Sequence, residues 1–282
     1  MILIPNKALS QHFLIDKNVI KKIIREAHLS NNDVVLEIGA GRGELTFPIA
    51  EKVFHVFAVE KDKRLFYSLK NYIKQKNIKN ISIINNDILE LNFFKILPSI
   101  KHAYKIVVIG NIPYKISSPI LNKLIKNRYI IKKSIIMLQL EFARRLIASP
   151  GNKEYGAITL IINYYANVRK LFEVSRNVFF PKPNVNSMVI EVKFSDKYSY
   201  VNEKIFHTIV HGAFLYRRKH ILNSLSKYLK NRITKEELKH ILISCKIDPK
   251  QRAESLNIDK FLAIATQLSS ILNNNTVDIH KT

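Results

Sequence analysis

A polar residue, a proline and an aromatic residue lie close together in the segment 111–114, which reads Asn-Ile-Pro-Tyr. The lone pair of an adenine amino group is delocalised into the ring, so the nitrogen is a poor nucleophile. Acceptors aimed at its hydrogens, here the Asn111 side-chain oxygen and the Ile112 carbonyl, favour a more nucleophilic nitrogen. Pro113 restricts the backbone conformation of Ile112, which holds the Ile112 carbonyl in place. Tyr114 offers a flat face on which an extruded base can stack. The segment indicates methylation of an adenine amine, with an Asn-Pro turn and a packed tyrosine as the structural alternative.

This segment follows an apolar run at 106–109, Ile-Val-Val-Ile, which predicts a buried strand. Gly110 is interpreted as the turn that ends this strand. Open α/β sheets bind their ligands at the carboxyl ends of their strands. The position of the segment therefore agrees with a reactive role.

Glycines occupy alternate positions of the segment 39–43, directly after a predicted strand at 33–38. Such glycines permit a tight turn and a close approach of the backbone to a ligand. Position 44 is Glu, where the dinucleotide-binding fingerprint requires Gly or Ala. The pattern Glu-x-Gly-x-Gly-x-Gly, which begins at Glu37, is instead that of S-adenosylmethionine methyltransferases. Such a loop receives a sulfonium amino acid and a ribose.

Acidic residues end the next two predicted strands, Glu60 after 56–59 and Asp87 after 81–84. Glu60 lies about twenty residues beyond the glycines, where nucleotide-binding sheets place an acceptor for ribose hydroxyls. Asp87 is a candidate acceptor for the adenine amine of the cofactor. Each carboxylate alone could serve as a loop or cap residue, but their shared position at strand ends favours one site. Successive strand–helix units predict an α/β fold with a doubly wound, mostly parallel sheet.

The second half of the chain predicts three more strands, two helices between the first two of these strands, and a small all-α domain at the carboxyl end. Phe179 opens a loop at 179–183 that is stiffened by two prolines, and its ring is interpreted as a stacking wall or as a packed side chain. The polar segment 195–202 is the predicted linker. We therefore expect a methyltransferase domain at 1–195 and a helical RNA-binding domain at 203–275. The predicted strands cover 135–139, 168–174 and 188–194, and the helices cover about 141–148 and 155–165.

The helical domain contains a basic block between Glu203 and Glu236, with eight Lys or Arg residues and no acidic one. Tyr216 and Tyr228 lie within it, a pattern typical of contact with a phosphate backbone. A solvated helix face is the alternative. His207 and His211 lie one helical turn apart without further ligands, so we predict packing or RNA contact and no metal site.

The composition supports a polyanionic partner, since the net charge is +24 and the isoelectric point is near 10.0. An anionic membrane would also fit this charge, but no apolar run reaches transmembrane length. Cys245 is the only cysteine, which excludes an intramolecular disulfide and fits a reducing compartment. Residues 1–5 are too short and lack the basic flank of a signal peptide. We therefore expect a cytoplasmic location.

Four motifs together resemble the rRNA adenine N6,N6-dimethyltransferase family: Gln-His-Phe-Leu-Ile-Asp at 11–16, Glu-Ile-Gly-Ala-Gly-Arg-Gly at 37–43, Gly-Asn-Ile-Pro-Tyr at 110–114, and the Phe-x-Pro-x-Pro-x-Val-x-Ser pattern at 179–187. The segments 217–225 and 252–256 resemble the small-subunit branch, whose loss gives kasugamycin resistance. The large-subunit branch, which confers macrolide resistance, is the alternative. The resemblance covers nearly the whole chain. His12 departs from the Asn of many members, and Asn186 departs from the Asp that is common in the small-subunit branch.

The resemblance implies a Rossmann-like class I methyltransferase fold, S-adenosyl-L-methionine as cofactor, and two adjacent adenosines in the 3′-terminal hairpin of small-subunit rRNA as substrate. It also implies a ribosomal partner, with a role in subunit assembly beside catalysis, and we expect a monomer. The residues that it assigns to the cofactor are Gln11, His12, Leu14, Gly39, Gly41, Glu60, Asp87 and Asn111. It assigns the target base to Asn111, Pro113, Tyr114 and Phe179, and the RNA to Arg217, Arg218, Lys219 and Arg252.

Two further interpretations compete with this one. A DNA adenine methyltransferase uses a similar polar-Pro-Pro-aromatic turn, but it would normally carry a base-reading domain. A non-catalytic assembly or transcription factor on the same fold predicts decay of the glycine loop or of Asn111 and Tyr114. Both the loop and these two residues are intact.

Overall fold

The computed structural model describes residues 5, 6, 9, 11–95, 105–230 and 232–277. The expectation of no signal peptide concerns residues 1–5, of which 1–4 lie outside this part. The described residues form two compact units. The first extends to Ala143 and includes Asn167–Phe194, and the second comprises Arg144–Ala166 and the residues from Ser195 onward.

The first unit is built on a seven-stranded sheet, which confirms the predicted doubly wound, mostly parallel architecture. The strands are β1 (Phe13–Leu14), β2 (Val34–Ile38), β3 (His55–Glu60), β4 (Ile81–Asn85), β5 (Ile106–Asn111), β6 (Ile131–Gln139), β7 (Ala166–Val174), β8 (Phe179–Phe180) and β9 (Ser187–Phe194). The order in the sheet is β4-β3-β2-β5-β6-β9-β7, in which the strands from β4 to β6 pair in parallel and β9 pairs with β6 in antiparallel fashion. Central strands that read as continuous apolar runs suit a sheet that is covered on both faces.

Helices connect the strands of this unit, and two of them begin at aspartate N-caps. The Asp16 carboxylate accepts from the backbone N–H groups of Asn18 and Val19 at 2.7 and 3.1 Å. The Asp62 carboxylate accepts from the backbone N–H of Arg64 at 3.0 Å. Such caps satisfy N–H groups that have no partner within the helix. The helices are α1 (Lys17–Glu26), α2 (Thr46–Ala50), α3 (Lys63–Gln75) and α4 (Ser117–Lys126), with α5 (Leu140–Leu146) beginning in this unit.

The interpretation of Gly110 as a turn is wrong, because β5 continues through Gly110 to Asn111. Gly110 pairs with Ile38 of β2. A Cβ atom on Gly110 would lie 2.8 Å from the Ile38 carbonyl oxygen and 2.9 Å from the Ile38 Cβ. The glycine therefore permits the close approach of two central strands, and Asn111 is the last residue of a strand.

The prediction of a plain loop at 179–183 is also wrong at its first two residues. Phe179 and Phe180 form β8, which pairs with β1 in an antiparallel two-stranded sheet. Phe180 lies opposite Phe13, and Phe179 lies opposite Leu14. The 11–16 motif is thereby fixed to the proline-containing segment.

The second unit is helical and takes in more of the chain than the predicted 203–275. Tyr164 of its first helix stacks on Phe206 with ring centroids 4.5 Å apart, and its hydroxyl donates to the Val201 carbonyl at 2.8 Å. The Tyr155 hydroxyl donates to the Leu256 carbonyl at 2.8 Å. These contacts place 144–166 with the helical unit. The helices are α6 (Ala157–Tyr165), α7 (Glu203–Phe214), α8 (Ile221–Leu229), α9 (Lys235–Ser244) and α10 (Ile258–Val277).

Among the described residues, no helix is both long enough and apolar enough to cross a membrane.

Candidate active site

A cavity of about 260 Å³ opens in the first unit, where β2, β3 and β5 end. Its walls contain both the glycine loop and the segment 111–114. Strand ends that are far apart in sequence therefore meet at one place, as expected for the carboxyl edge of a parallel sheet. The predicted site residues that line it are Gln11, His12, Leu14, Gly39, Gly41, Glu60, Asp87, Asn111, Pro113 and Tyr114.

The glycine loop depends on left-handed backbone conformations. Gly39, Gly41 and Gly43 have φ angles of 74°, 61° and 90°. A Cβ atom on Gly43 would also lie 2.4 Å from the Phe47 ring. Residues with a Cβ atom adopt these angles only at a cost, so the loop brings bare backbone to the cavity.

Glu60 holds this loop as well as facing the cavity. One carboxylate oxygen accepts from the Gly41 N–H and the other from the Asp62 N–H, both at 2.8 Å. Burial raises the pKa of Glu60, while these two hydrogen bonds act in the opposite direction. The carboxylate thus fixes the loop relative to the end of β3.

Asp87 lies in the cavity wall with a lysine beside it. Lys61 Nζ donates to one carboxylate oxygen at 2.7 Å, and the Leu89 N–H donates to the other at 2.9 Å. Burial alone would raise the pKa of Asp87, but the hydrogen bond and charge of Lys61, together with the Leu89 bond, lower it overall. Asp87 is therefore an ionised acceptor at neutral pH.

Glu37, recognisable in the sequence only as the first residue of the glycine motif, also lines the cavity. Its side chain is 1% exposed, and its carboxylate accepts from the Thr46 hydroxyl at 2.6 Å. Burial raises the pKa of Glu37 to about 8, with Glu44 and Glu60 adding to the rise and Thr46 opposing it. At neutral pH, Glu37 is therefore a neutral carboxylic acid in the cavity wall.

We expect Glu37→Gln to make the protein more resistant to heat at pH 8 than the unsubstituted chain. The folded pKa of about 8 exceeds the ordinary value of 4.5. Between these values the unfolded carboxyl has lost its proton and the folded one has kept it, so rising pH lowers the stability of the folded state. Glutamine keeps an acceptor for Thr46 and does not ionise. Thermal unfolding without ligand, from pH 5 to pH 8, measures the difference in stability between the two proteins, which should shrink toward pH 5.

Glu51→Gln, at an exposed position, is the matched control. An unchanged pH dependence of stability in Glu37→Gln would contradict the burial argument.

Asn111 is oriented by the segment that precedes α1. Its Nδ2 atom donates to the His12 carbonyl at 2.9 Å, which leaves Oδ1 as the acceptor of the amide. The neighbouring Ile112 is buried, and its N–H donates to the Met137 carbonyl at 3.0 Å. The backbone and the amide of this strand end are therefore both fixed in direction.

Tyr114 is half-buried at the edge of the cavity. Its hydroxyl shares a 2.9 Å hydrogen bond with the Ser187 hydroxyl, and its ring stacks on His12 with centroids 5.9 Å apart and an interplanar angle of 24°. Burial raises the pKa of Tyr114. The residue therefore presents a neutral, oriented ring.

Phe179 requires a correction, because the structure does not place it in the cavity wall. Its side chain is 3% exposed and belongs to a core cluster that includes Leu14 and Val174. The pairing of β8 with β1 turns Phe179 and Leu14 to the same inner face. Phe180, on the opposite face, is 51% exposed. In this structure Phe179 is a packed core side chain and does not form a stacking wall.

The predicted RNA-binding residues lie on the second unit and are exposed. Arg217 Nε donates to the Glu254 carboxylate at 3.0 Å, and its guanidinium also donates to the Lys153 carbonyl. Arg252 lies 4.0 Å from the same carboxylate. Arg218 and Lys219 follow Arg217 on the exposed surface. Glu254 thus partly neutralises two of the four predicted contacts.

His207 forms a hydrogen bond of 2.8 Å with the Tyr165 hydroxyl through Nε2 and lies edge-on to His211. In the part of the chain that the structure describes, no cluster of three or more His, Cys, Asp or Glu residues could hold a metal ion.

A family model for ribosomal RNA adenine dimethylases matches residues 4–268 of the chain. The chain belongs to this family. Its members are methyltransferases that use S-adenosylmethionine, so the resemblance drawn from the motifs is confirmed.

Within the family, the chain is similar to proteins named ribosomal RNA small subunit methyltransferase A. It is 40% identical over 271 residues to that of Desulforapulum autotrophicum, covering 95% of this chain and 94% of that protein. It is 37% identical over 269 residues to that of Alkaliphilus oremlandii, covering 95% and 93%.

Solved structures support the same fold. A dimethyladenosine transferase from Plasmodium falciparum superposes with a TM-score of 0.78 at 26% identity, covering 92% of this chain and 98% of that one. The 23S rRNA methyltransferase ErmE superposes with a TM-score of 0.68 at 22% identity, covering 91% and 99%, and is similar in fold.

Proposed function

We propose that the protein dimethylates N6 of two adjacent adenosines in the 3′-terminal hairpin of small-subunit rRNA. It acts in the cytoplasm, as a monomer, on an incompletely assembled small subunit. The observation that carries the chemistry is the Asn111 amide, which lines the cavity of the glycine loop and is held through Nδ2, so that Oδ1 is its acceptor. The small-subunit choice rests on the names of the relatives that share 36–40% identity with the chain.

The cavity fits S-adenosylmethionine by its donor set and by its backbone. The loop at Gly39 and Gly41 brings main chain without side chains to the ligand, which suits the methionine end. Glu60 is the acceptor for the ribose hydroxyls, and the ionised Asp87 is the acceptor for the adenine amine. Gln11, held by a 3.1 Å hydrogen bond to Asp62, begins the segment that covers the ligand.

The target adenine is held by the segment 111–114. The Asn111 oxygen and the Ile112 carbonyl accept hydrogen bonds from the amino group, and Tyr114 stacks on the ring. When bound, S-adenosylmethionine would supply an electrophilic methyl group to N6, with S-adenosylhomocysteine as the leaving group. No strong base is needed, because the amine proton becomes acidic as the new N–C bond forms and then leaves to solvent. Catalysis comes from positioning and from polarisation of the amine.

To test this proposal, the protein is incubated with S-adenosylmethionine and, in separate reactions, with unmethylated small and large ribosomal subunits. The RNA is then digested and dimethyladenosine is located by mass spectrometry. We expect product at two adjacent adenosines of the small subunit. Product from the large subunit alone would favour the macrolide-resistance type. Product from neither, with cofactor binding confirmed, would favour a non-catalytic assembly factor.

We expect Glu60→Ala to weaken S-adenosylmethionine binding by about 10- to 100-fold, since it removes a charged acceptor and frees the Gly41 and Asp62 N–H groups. Isothermal titration calorimetry measures the dissociation constant. Glu51→Ala, at an exposed carboxylate outside the cavity, is the matched control. Equal affinity in the two variants would contradict the role of Glu60.

A further inference from the structure

His12 touches both functional members of the segment 111–114. Its carbonyl accepts from Asn111 Nδ2 at 2.9 Å, and its imidazole stacks on Tyr114 at 5.9 Å between centroids. The first contact uses the main chain and persists with any residue at position 12. The second uses the side chain, so a substitution isolates it.

The imidazole is also held at its edge, by a hydrogen bond. His12 Nδ1 lies 2.7 Å from the Pro181 carbonyl. A carbonyl oxygen only accepts, so Nδ1 carries the hydrogen in this contact. The pairing of β1 and β8 at the neighbouring positions holds Pro181 close to His12. The ring is therefore fixed by the Pro181 carbonyl at its edge and by Tyr114 at one face.

Tyr114 is likewise fixed at its far end, through the 2.9 Å hydrogen bond to Ser187. Ser187 is buried at the start of β9. The phenol ring therefore has its hydroxyl held by the sheet and one face supported by His12. A base that stacks on Tyr114 must use the opposite face.

We propose that the His12 side chain is a positioning residue for the target adenine, which it serves by backing the Tyr114 ring, and that it is not a contact for the cofactor. The inference rests on the proposed function, since it requires an adenine on Tyr114. Offset-parallel ring pairs contribute enough for a two- to tenfold effect when one ring is lost.

Three variants test the role of the ring. His12→Asn keeps a planar donor but has no ring, His12→Ala has neither, and His12→Phe keeps a ring without the Pro181 hydrogen bond. We expect single-turnover methylation to slow by about two- to tenfold in the first two variants and to remain near the original rate in His12→Phe. The dissociation constant of S-adenosylmethionine should stay within about twofold in all three, a change of under half a kcal/mol.

Each other outcome overturns the proposal. A loss of rate that follows a loss of cofactor affinity makes His12 a cofactor contact. A His12→Phe variant as slow as His12→Asn assigns the effect to the Pro181 hydrogen bond, and three unchanged rates deny any role. Thermal unfolding of each variant shows whether the fold is retained.

A measurement without RNA separates this proposal from the proposed function. With 3-fluorotyrosine at position 114, the fluorine resonance should shift in His12→Ala, because the imidazole ring current is removed. The same label at the exposed Tyr72 should not shift. An unmoved resonance at position 114 overturns the stack, whereas an inactive parent protein with a shifted resonance overturns only the reaction.

Discussion

Asn111→Ala is expected to lower the rate of methyl transfer by about 100- to 1,000-fold, the usual effect of removing one preorganised polar group at a reacting atom. The amide oxygen is the acceptor that makes the amine more nucleophilic, and nothing else in the alanine variant replaces it at that position. Asn111 is half-buried at the end of β5, so the fold should persist. Single-turnover transfer of a labelled methyl group to the small subunit measures the rate.

Two further variants sharpen this test. Asn111→Asp retains acceptor oxygens but sets one of them against the His12 carbonyl, where Nδ2 now donates at 2.9 Å. We expect it to remain strongly impaired, because the direction of the acceptor matters as well as its presence. Asn71→Ala, at an exposed position on α3, is the matched control for the loss of an amide. A near-normal rate in Asn111→Ala would remove the central element of the proposed mechanism.

The same Asn111→Ala variant separates catalysis from assembly. A protein that also serves assembly should still bind immature small subunits stoichiometrically when it is catalytically inactive. Sedimentation of the variant with such subunits measures this binding. Its absence would leave catalysis as the role of the chain.

The position of the cavity could be predicted from the sequence because its parts are local signals. The glycine loop, Glu60, Asp87 and Asn111 each end an apolar run, and parallel strands bring their carboxyl ends to one edge whatever their order. Neither the strand order nor the helix boundaries had to be known. The strands themselves could also be predicted, because runs such as 106–109 are apolar throughout.

What could not be predicted depends on contacts between distant segments. Phe179 and Phe180 are adjacent rings, and the pairing of β8 with β1 decides which one is buried. The sequence gives no register for a two-residue strand. Glu37 is recognisable as the first residue of the glycine motif, but its neutral state depends on its burial, which outweighs the opposing hydrogen bond from Thr46. The helix α6 is recognisable by its periodicity, but its apolar residues do not say which unit they pack against.

Gly110→Ala is expected to destabilise the first unit by about 3 kcal/mol or more, as overpacking against fixed backbone does. The added Cβ would lie 2.8 Å from the Ile38 carbonyl oxygen and 2.9 Å from the Ile38 Cβ. Neither strand can move aside, because β2 is hydrogen-bonded to β3 as well as to β5, and β5 is hydrogen-bonded to β6. Any shift that relieves the clash also displaces Asn111, the next residue, so activity should fall with stability. Urea unfolding followed by circular dichroism measures the loss.

Gly156→Ala is the matched control for this substitution. Gly156 has an extended backbone with φ of −170°, and a Cβ there would meet nothing within 4 Å. Its cost should stay within about 1 kcal/mol, the range of a changed N-cap. The contrast tests a specific cause, since both variants add the same methyl group and lose the same backbone freedom in the unfolded chain. Equal unfolding midpoints for the two would show that β5 and β2 are not packed at Gly110 as described, and the fixed direction of the Asn111 amide would lose its support.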